Sequence, residues 1–159
     1  IIVTHDPEEA MRMGDRIALM RHGRLLQVGT ARQLYEKPVD LYAARFFSEL
    51  NEFEATVKNG RAETAIGTFS AHGHADGAQV AVGVRPQGVG FAIAGDGVPG
   101  RIVGHQFLGE VDLLSVAIDG SDRPVRVRTR DNVVPFTVGS TVWLTADPRD
   151  VLVFAKESE

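Results

Sequence analysis

The 159-residue chain sets 17 Lys and Arg against 21 Asp and Glu, for a formal charge of −4, and 43% of its residues are hydrophobic. That balance fits a soluble globular protein and argues against a disordered polyelectrolyte, a fibrous repeat or a general nucleic-acid binder, which needs many clustered cations. No apolar run approaches the roughly 18 residues that cross a bilayer as a helix. The absence of cysteine excludes disulfides and thiolate metal sites and fits a reducing compartment, the cytoplasm.

The chain opens on Ile1-Ile2-Val3-Thr4-His5-Asp6, with neither an initiator Met nor a basic leader, and reads as a chain that begins inside a domain. Ile1 to Thr4 is β-branched throughout and predicts a buried strand delivering His5 at its carboxyl end. Asp6-Pro7-Glu8-Glu9 predicts a helix start, with Asp6 as N-cap, Pro7 at the first helical position and Glu9 closing the box. Gly14 is expected to end that helix in the left-handed conformation. Strands are expected over Arg16 to Met20 and Leu25 to Val28, joined by a tight turn at His22-Gly23. Thr30 and Gln33 predict a capped helix ended by Pro38, and Asp40 caps another running to about Phe47.

From Phe53 onward the rhythm changes to period two, broken by Gly, Asn and Asp, which places a domain boundary near Ser48 to Glu52. Strands are predicted near Phe53 to Lys58, Arg61 to Ile66, Gln79 to Val84, Val89 to Ile93, Gly100 to Phe107, Val111 to Ile118, Val125 to Arg130, Thr141 to Leu144 and Val151 to Phe154. Turns are expected at Asn59-Gly60, Asp96-Gly97 and Asp119-Gly120. Many short strands at this spacing predict a small barrel or sandwich, with an OB-like barrel as the natural form.

Val3-Thr4-His5-Asp6-Pro7-Glu8-Glu9-Ala10, then Asp15-Arg16-Ile17-Ala18-Leu19-Met20 and Gly23-Arg24-Leu25-Leu26-Gln27-Val28-Gly29-Thr30, resemble the H-loop and following hairpin of ABC ATPase subunits. Leu34-Tyr35-Glu36-Lys37-Pro38 and Ala44-Arg45-Phe46-Phe47 resemble the helical end of that domain in importers of sugars, polyamines, sulfate and ferric iron. Val84-Arg85-Pro86, Phe107-Leu108-Gly109 and Asp150-Val151-Leu152-Val153-Phe154 resemble marks of the accessory TOBE domain, the transport-associated OB fold. Gln87 departs from the Glu that often follows Arg-Pro there.

The resemblance implies a mainly β fold: an OB-like TOBE barrel over residues 51–159, preceded over residues 1–50 by an α/β remnant of an ABC ATPase domain. It implies that His5 is the switch histidine, the catalytic and nucleotide-binding residue of the set, donating a hydrogen bond to the γ-phosphate. ATP and Mg belong to the full-length parent. The chain contains no G-x-x-x-x-G-K-[ST] loop, no upstream magnesium aspartate, no glutamate base before His5 and no signature Gly-rich loop, so it is expected neither to bind ATP tightly nor to hydrolyse it. The implied partners are a second copy, two permease subunits and, through them, a periplasmic binding protein, at the inner face of the plasma membrane. Ferric iron is the cargo the phrasing resembles most, with sugar, polyamine and sulfate as alternatives. A TOBE module that senses a small oxyanion is the competing function.

Three further features have a bland and a sharp reading. His72-Gly73-His74-Ala75-Asp76 is either a metal site or a solvated loop, and its confinement to one loop favours the latter. Arg126, Arg128 and Arg130 share one face of a strand, which reads as a solvated or subunit-facing strand because no exposed aromatics interleave to stack bases. Phe107-Leu108-Gly109 and Val133-Val134-Pro135-Phe136 are apolar stretches beside turns, hence either core or a contact between two copies.

Overall fold

The computed structural model describes residues 1–130 and 136–156. Contacts divide the chain into two units, Ile1–Glu49 and Leu50–Glu159.

The first unit opens on helix α1 (Pro7–Met13), whose Asp6 cap accepts from the Glu8 and Glu9 amides at 2.8 and 3.1 Å. Strands β1 (Ile17–Arg21) and β2 (Arg24–Gly29) form an antiparallel hairpin with a bulge between Leu19 and Met20. Its turn places His22 and Gly23 at φ of 50° and 74°, the left-handed pair that matches strand twist. Helix α2 (Ala31–Glu36) starts with a full capping box between Thr30 and Gln33, and α3 (Leu41–Phe47) starts where Asp40 accepts from the Ala43 amide at 2.7 Å. Gln27 fastens the intervening stretch by donating to the Lys37 carbonyl and accepting from the Val39 amide, both at 2.9 Å. Ile17, Leu19, Leu34, Ala43 and Phe47 form the core of this unit.

Three expectations fail in this unit, the first being the box at α1, which Glu9 does not close because the Asp6 amide bonds to the Thr4 hydroxyl instead. Ile1 to Thr4 form no strand, and Ile1 and Val3 are almost wholly exposed, because among the described residues no neighbouring strand pairs with them. Gly14 is extended at φ −99° and not left-handed; its amide bonds directly to the Ala10 carbonyl, which already closes the helix.

Among the described residues the second unit contains two five-stranded sheets and is mainly β. Its strands are β3 (Asn51–Lys58), β4 (Arg61–Thr64), β5 (Gly67–Ser70), β6 (Gln79–Val84), β7 (Val89–Phe91), β8 (Val98–Phe107), β9 (Asp112–Ile118), β10 (Val125–Thr129), β11 (Thr141–Ala146) and β12 (Val151–Ala155). One sheet has the order β10-β9-β8-β11-β7 and the other β12-β6-β3-β4-β5. Val57, Val80, Val82, Ile102, Leu114, Val116, Val127 and Leu144 fill one core between them. Each such side chain contributes roughly 1.5–3 kcal/mol on burial. β5 is an addition to the predicted strands, since it lies just beyond the predicted Arg61 to Ile66 segment and a run of four residues gives little separate period-two signal. The turn expected at Asp96-Gly97 centres instead on Gly95, which adopts φ 98° while the Asp96 amide bonds to the Ile93 carbonyl.

The two sheets are joined by one continuous ribbon. β6 pairs with β12 and β7 with β11, and the step from Val84 to Val89 equals the step from Ala146 to Val151. Both strands therefore leave one sheet and enter the other together, with no slip of register. They bend at apposed 3₁₀ turns, Pro86–Gly88 and Pro148–Asp150, that exchange hydrogen bonds: the Arg85 amide donates to the Asp150 carbonyl at 3.0 Å and the Asp147 amide to the Gly88 carbonyl at 2.8 Å. Each turn begins with Pro, which fixes φ and has no amide to leave unpaired. The turns touch so closely that a Cβ on Gly88 would stand 2.2 Å from the Asp150 Cβ. The buried Arg85 guanidinium lies 3.8 Å from the Asp150 carboxylate.

Gly88→Ala is therefore expected to destabilise the chain by about 1–3 kcal/mol through overpacking, read as a lower urea midpoint with an unchanged slope. An unshifted midpoint would show that the turns separate without cost. Asp147 accepts from Arg149 through Nε at 3.1 Å, Nη2 at 2.6 Å and the backbone amide at 2.9 Å. The Arg149 side chain foremost, then its amide, holds the Asp147 carboxyl down to about 2. Because the folded value is depressed, the stabilisation is present above the ordinary value of 3.8 and is lost as pH falls through about 2. Arg149→Gln should move the Asp147 carboxyl carbon titration in NMR spectra back toward the ordinary range.

Candidate functional site

His5 lies just ahead of α1 and is exposed to solvent. The segment around it is shaped locally: the Asp6 amide bonds to the Thr4 hydroxyl at 3.1 Å, and the Asp6 carboxylate turns back onto the first helical amides. The imidazole is thus presented at a helix start, where it can donate to an anionic oxygen. The chain's sequence supplies no phosphate cradle and no magnesium carboxylate to accompany it. These residues alone do not fit a nucleotide, and no step of hydrolysis follows from them.

The loop with two histidines is built for a different purpose. His72 is exposed, and Asp76 accepts the Gly60 amide at 3.1 Å, so its carboxylate pins the Asn59-Gly60 hairpin. Among the described residues no group of three His, Cys, Asp or Glu side chains converges as a metal site.

On β10, Val125 and Val127 are buried while Arg126 and Arg128 are exposed. Arg130, just beyond the strand, lies 3.6 Å from Glu110. Asn51, at the start of β3, donates to the Arg126 carbonyl at 2.9 Å and accepts its amide at 2.6 Å. One side chain thereby satisfies both backbone groups of an edge residue and ties the two sheets together.

A second polar pair lies at the far end of β8. A bulge between Ile102 and Gly104 shifts the strand phase, so that His105 stands opposite the buried Leu114. Its Nε2 lies 2.6 Å from Oδ1 of the buried Asp112, and its ring meets Phe136 edge-on, with Phe136 against Phe91. An oriented imidazole is the first requirement of a general base. No hydroxyl hydrogen-bonds to it among the described residues, so the pair acts as a clamp at the turn end of the β8–β9 hairpin. Sequence reading missed both Asn51 and this pair. Gly104 inside a strand was the one signal, since a strand glycine often marks a bulge. Of the stretch Val133-Val134-Pro135-Phe136, only Phe136 lies within the described residues, and it packs inward.

The outer face of β3, β4, β5 and β6 carries an open groove of about 680 Å³. Glu54, Lys58, Arg61 and Glu63 line it beside Thr56, Thr68 and Gln79. Its charges balance, and Glu54 is paired with Lys156 at 2.9 Å.

Comparison with known proteins follows this division. The TOBE domain family matches residues 70–154. The chain is similar to the Fe(3+) ions import ATP-binding protein FbpC 1 of Rhodococcus jostii, 36% identical over 98% of this chain and 44% of the relative. It is also similar to the spermidine/putrescine import ATP-binding protein PotA of Haemophilus influenzae, 50% identical over 66 residues, which are 42% of this chain and 18% of that protein. The chain thus spans less than half the length of the curated relatives it matches. Among solved structures, a cytoplasmic molybdate-binding protein, ModG, aligns with a TM-score of 0.52 at 14% identity, covering 67% of this chain and 96% of that one. That likeness is one of fold and agrees with an OB-like barrel. No helix of the described residues is long and apolar enough to cross a membrane. The chain therefore belongs to the TOBE domain family, and its relatives are ATP-binding subunits of ABC importers.

Proposed function

We propose that this chain is the C-terminal part of the ATP-binding subunit of a ferric-iron ABC importer, in which residues 1–50 belong to the ATPase domain and residues 51–159 form a regulatory, dimerising TOBE domain. One observation carries the choice of cargo. Similarity to the iron-import relative runs through 98% of the chain, whereas the polyamine relative, although more alike where it matches, covers 42%. The barrel is thus included in the first likeness.

In the complete subunit His5 is the switch residue, donating to the γ-phosphate of ATP while the missing length of the subunit supplies the phosphate cradle and the magnesium ligands. Phosphoryl transfer depends on positioning and electrostatic stabilisation, so a single imidazole without those parts performs none of it. The subunit works at the cytoplasmic face of the membrane, held there by permease subunits and paired with a second copy.

The purified 159-residue chain is expected to release no phosphate from ATP above a blank, and turnover by it would overturn the assignment of His5 as an accessory group. In cells carrying the complete subunit, His5→Ala should lower ferric-iron uptake about a hundredfold, the scale on which loss of one transition-state donor acts. Unchanged iron uptake with loss of spermidine uptake would replace iron by a polyamine as the cargo.

A further inference from the structure

The β8–β9 hairpin ends in a tip with an unusual surface. Phe107 is 64% and Leu108 48% exposed, although both are large and apolar. The tip is nonetheless fixed. The Leu108 amide bonds to the Val111 carbonyl at 2.9 Å, the Glu110 amide to the Leu108 carbonyl at 3.1 Å, and Gly109 takes the φ of 84° that the turn needs. Below it the His105–Asp112 bond at 2.6 Å closes the root. A backbone held in this way has already met part of the ordering cost that binding incurs, which suits an exposed Phe-Leu pair to the part of an interface anchor.

The rim identifies the occupant. Glu110 and Arg130 flank the apolar pair, 3.6 Å apart, with side chains 88% and 77% exposed. An exposed pair of this kind contributes little to the stability of its own chain. Its charges cancel, so the rim offers no net attraction to an anionic bilayer or to an acidic partner. A two-fold axis through the tip would instead bring Glu110 of each copy to Arg130 of the other, around a centre of Phe107 and Leu108 from both. A patch with one cation and one anion beside an apolar centre is self-complementary, as an isologous contact requires.

We infer that the Phe107–Glu110 tip, with Arg130, is the surface through which two copies of this chain associate. The inference rests on the dimerising role proposed above and locates it. The test is sedimentation equilibrium of the 159-residue chain and three variants. Glu110→Arg and Arg130→Glu should each weaken the dimer about tenfold, and Phe107→Ser at least as much, with far-ultraviolet circular dichroism unchanged because all three side chains are exposed. An equimolar mixture of Glu110→Arg with Arg130→Glu should recover association, since both contacts across the mixed pair then oppose Arg to Glu. Recovery cannot arise within a chain, where the two positions remain like-charged in each variant.

A dimer indifferent to the three substitutions overturns this surface while leaving a dimerising domain intact. Weakening without recovery in the mixture overturns the reciprocal contact. A wild-type chain that stays monomeric at millimolar concentration overturns both this surface and the self-association of the proposed function. Dimerisation only on addition of another protein has the same consequence.

Discussion

The exchange of two hydrogen bonds between the Arg85 and Asp147 turns is the constraint on which the barrel depends. Two sheets packed face to face need a route by which the chain changes sheet, and each change interrupts the backbone pairing that both sheets use. Here both strands of one ribbon change together, so the groups interrupted on one strand meet those interrupted on the other. Pro86 and Pro148 sit where a donor would be hardest to satisfy, and Gly88 leaves the space that Asp150 fills. The buried Arg85 adds to the same constraint. Its charge tolerates burial because the Asp150 carboxylate of the opposite turn lies beside it, and removing one member of such a pair leaves the other uncompensated.

Around that ribbon the remaining polar contacts manage edges and ends. Asn51 occupies the backbone groups of Arg126 on the edge strand β10, which protects that edge from pairing with another chain. The His105–Asp112 pair does the corresponding work at the turn end of the long β8–β9 hairpin. Association through an exposed side-chain tip is compatible with both arrangements, because it asks for no free strand edge. The three arginines of the β10 region are then divided by role: Arg126 has its backbone bound by Asn51, Arg128 projects outward, and Arg130 joins the rim with Glu110.

Much of this was legible in the residues. Thr30 with Gln33 and Asp40 with Ala43 begin their helices as written, and the left-handed pairs at His22-Gly23 and Asn59-Gly60 make their hairpins. Such features depend on neighbours within a few positions, so the information is local. The TOBE and ABC-subunit likeness was legible as phrases of residues, and the matching family and relatives support it. Ile1 to Thr4 did not form the strand their composition predicts, because a strand is a property of two segments and its partner is not among the described residues. The Gly14 expectation failed for a smaller reason, a direct amide bond that closed the helix without a left-handed residue.

What the sequence determined by itself is most of the strands of the second unit, their inward and outward faces away from the bulge, and most of their turns, because a period of two and a preference for φ above zero are fixed by covalent geometry. Which strands pair, and which distant polar groups meet, was decided by the tertiary structure alone. Asn51 reaches Arg126 and Arg85 reaches Asp150 only after the sheets have packed, and no spacing along the chain encodes either contact. His105 illustrates the difference most directly. Its strand was predicted, yet the bulge at Gly104 turned its side chain to the face on which Asp112 waits, and a shift of one residue is the largest change of environment a strand permits.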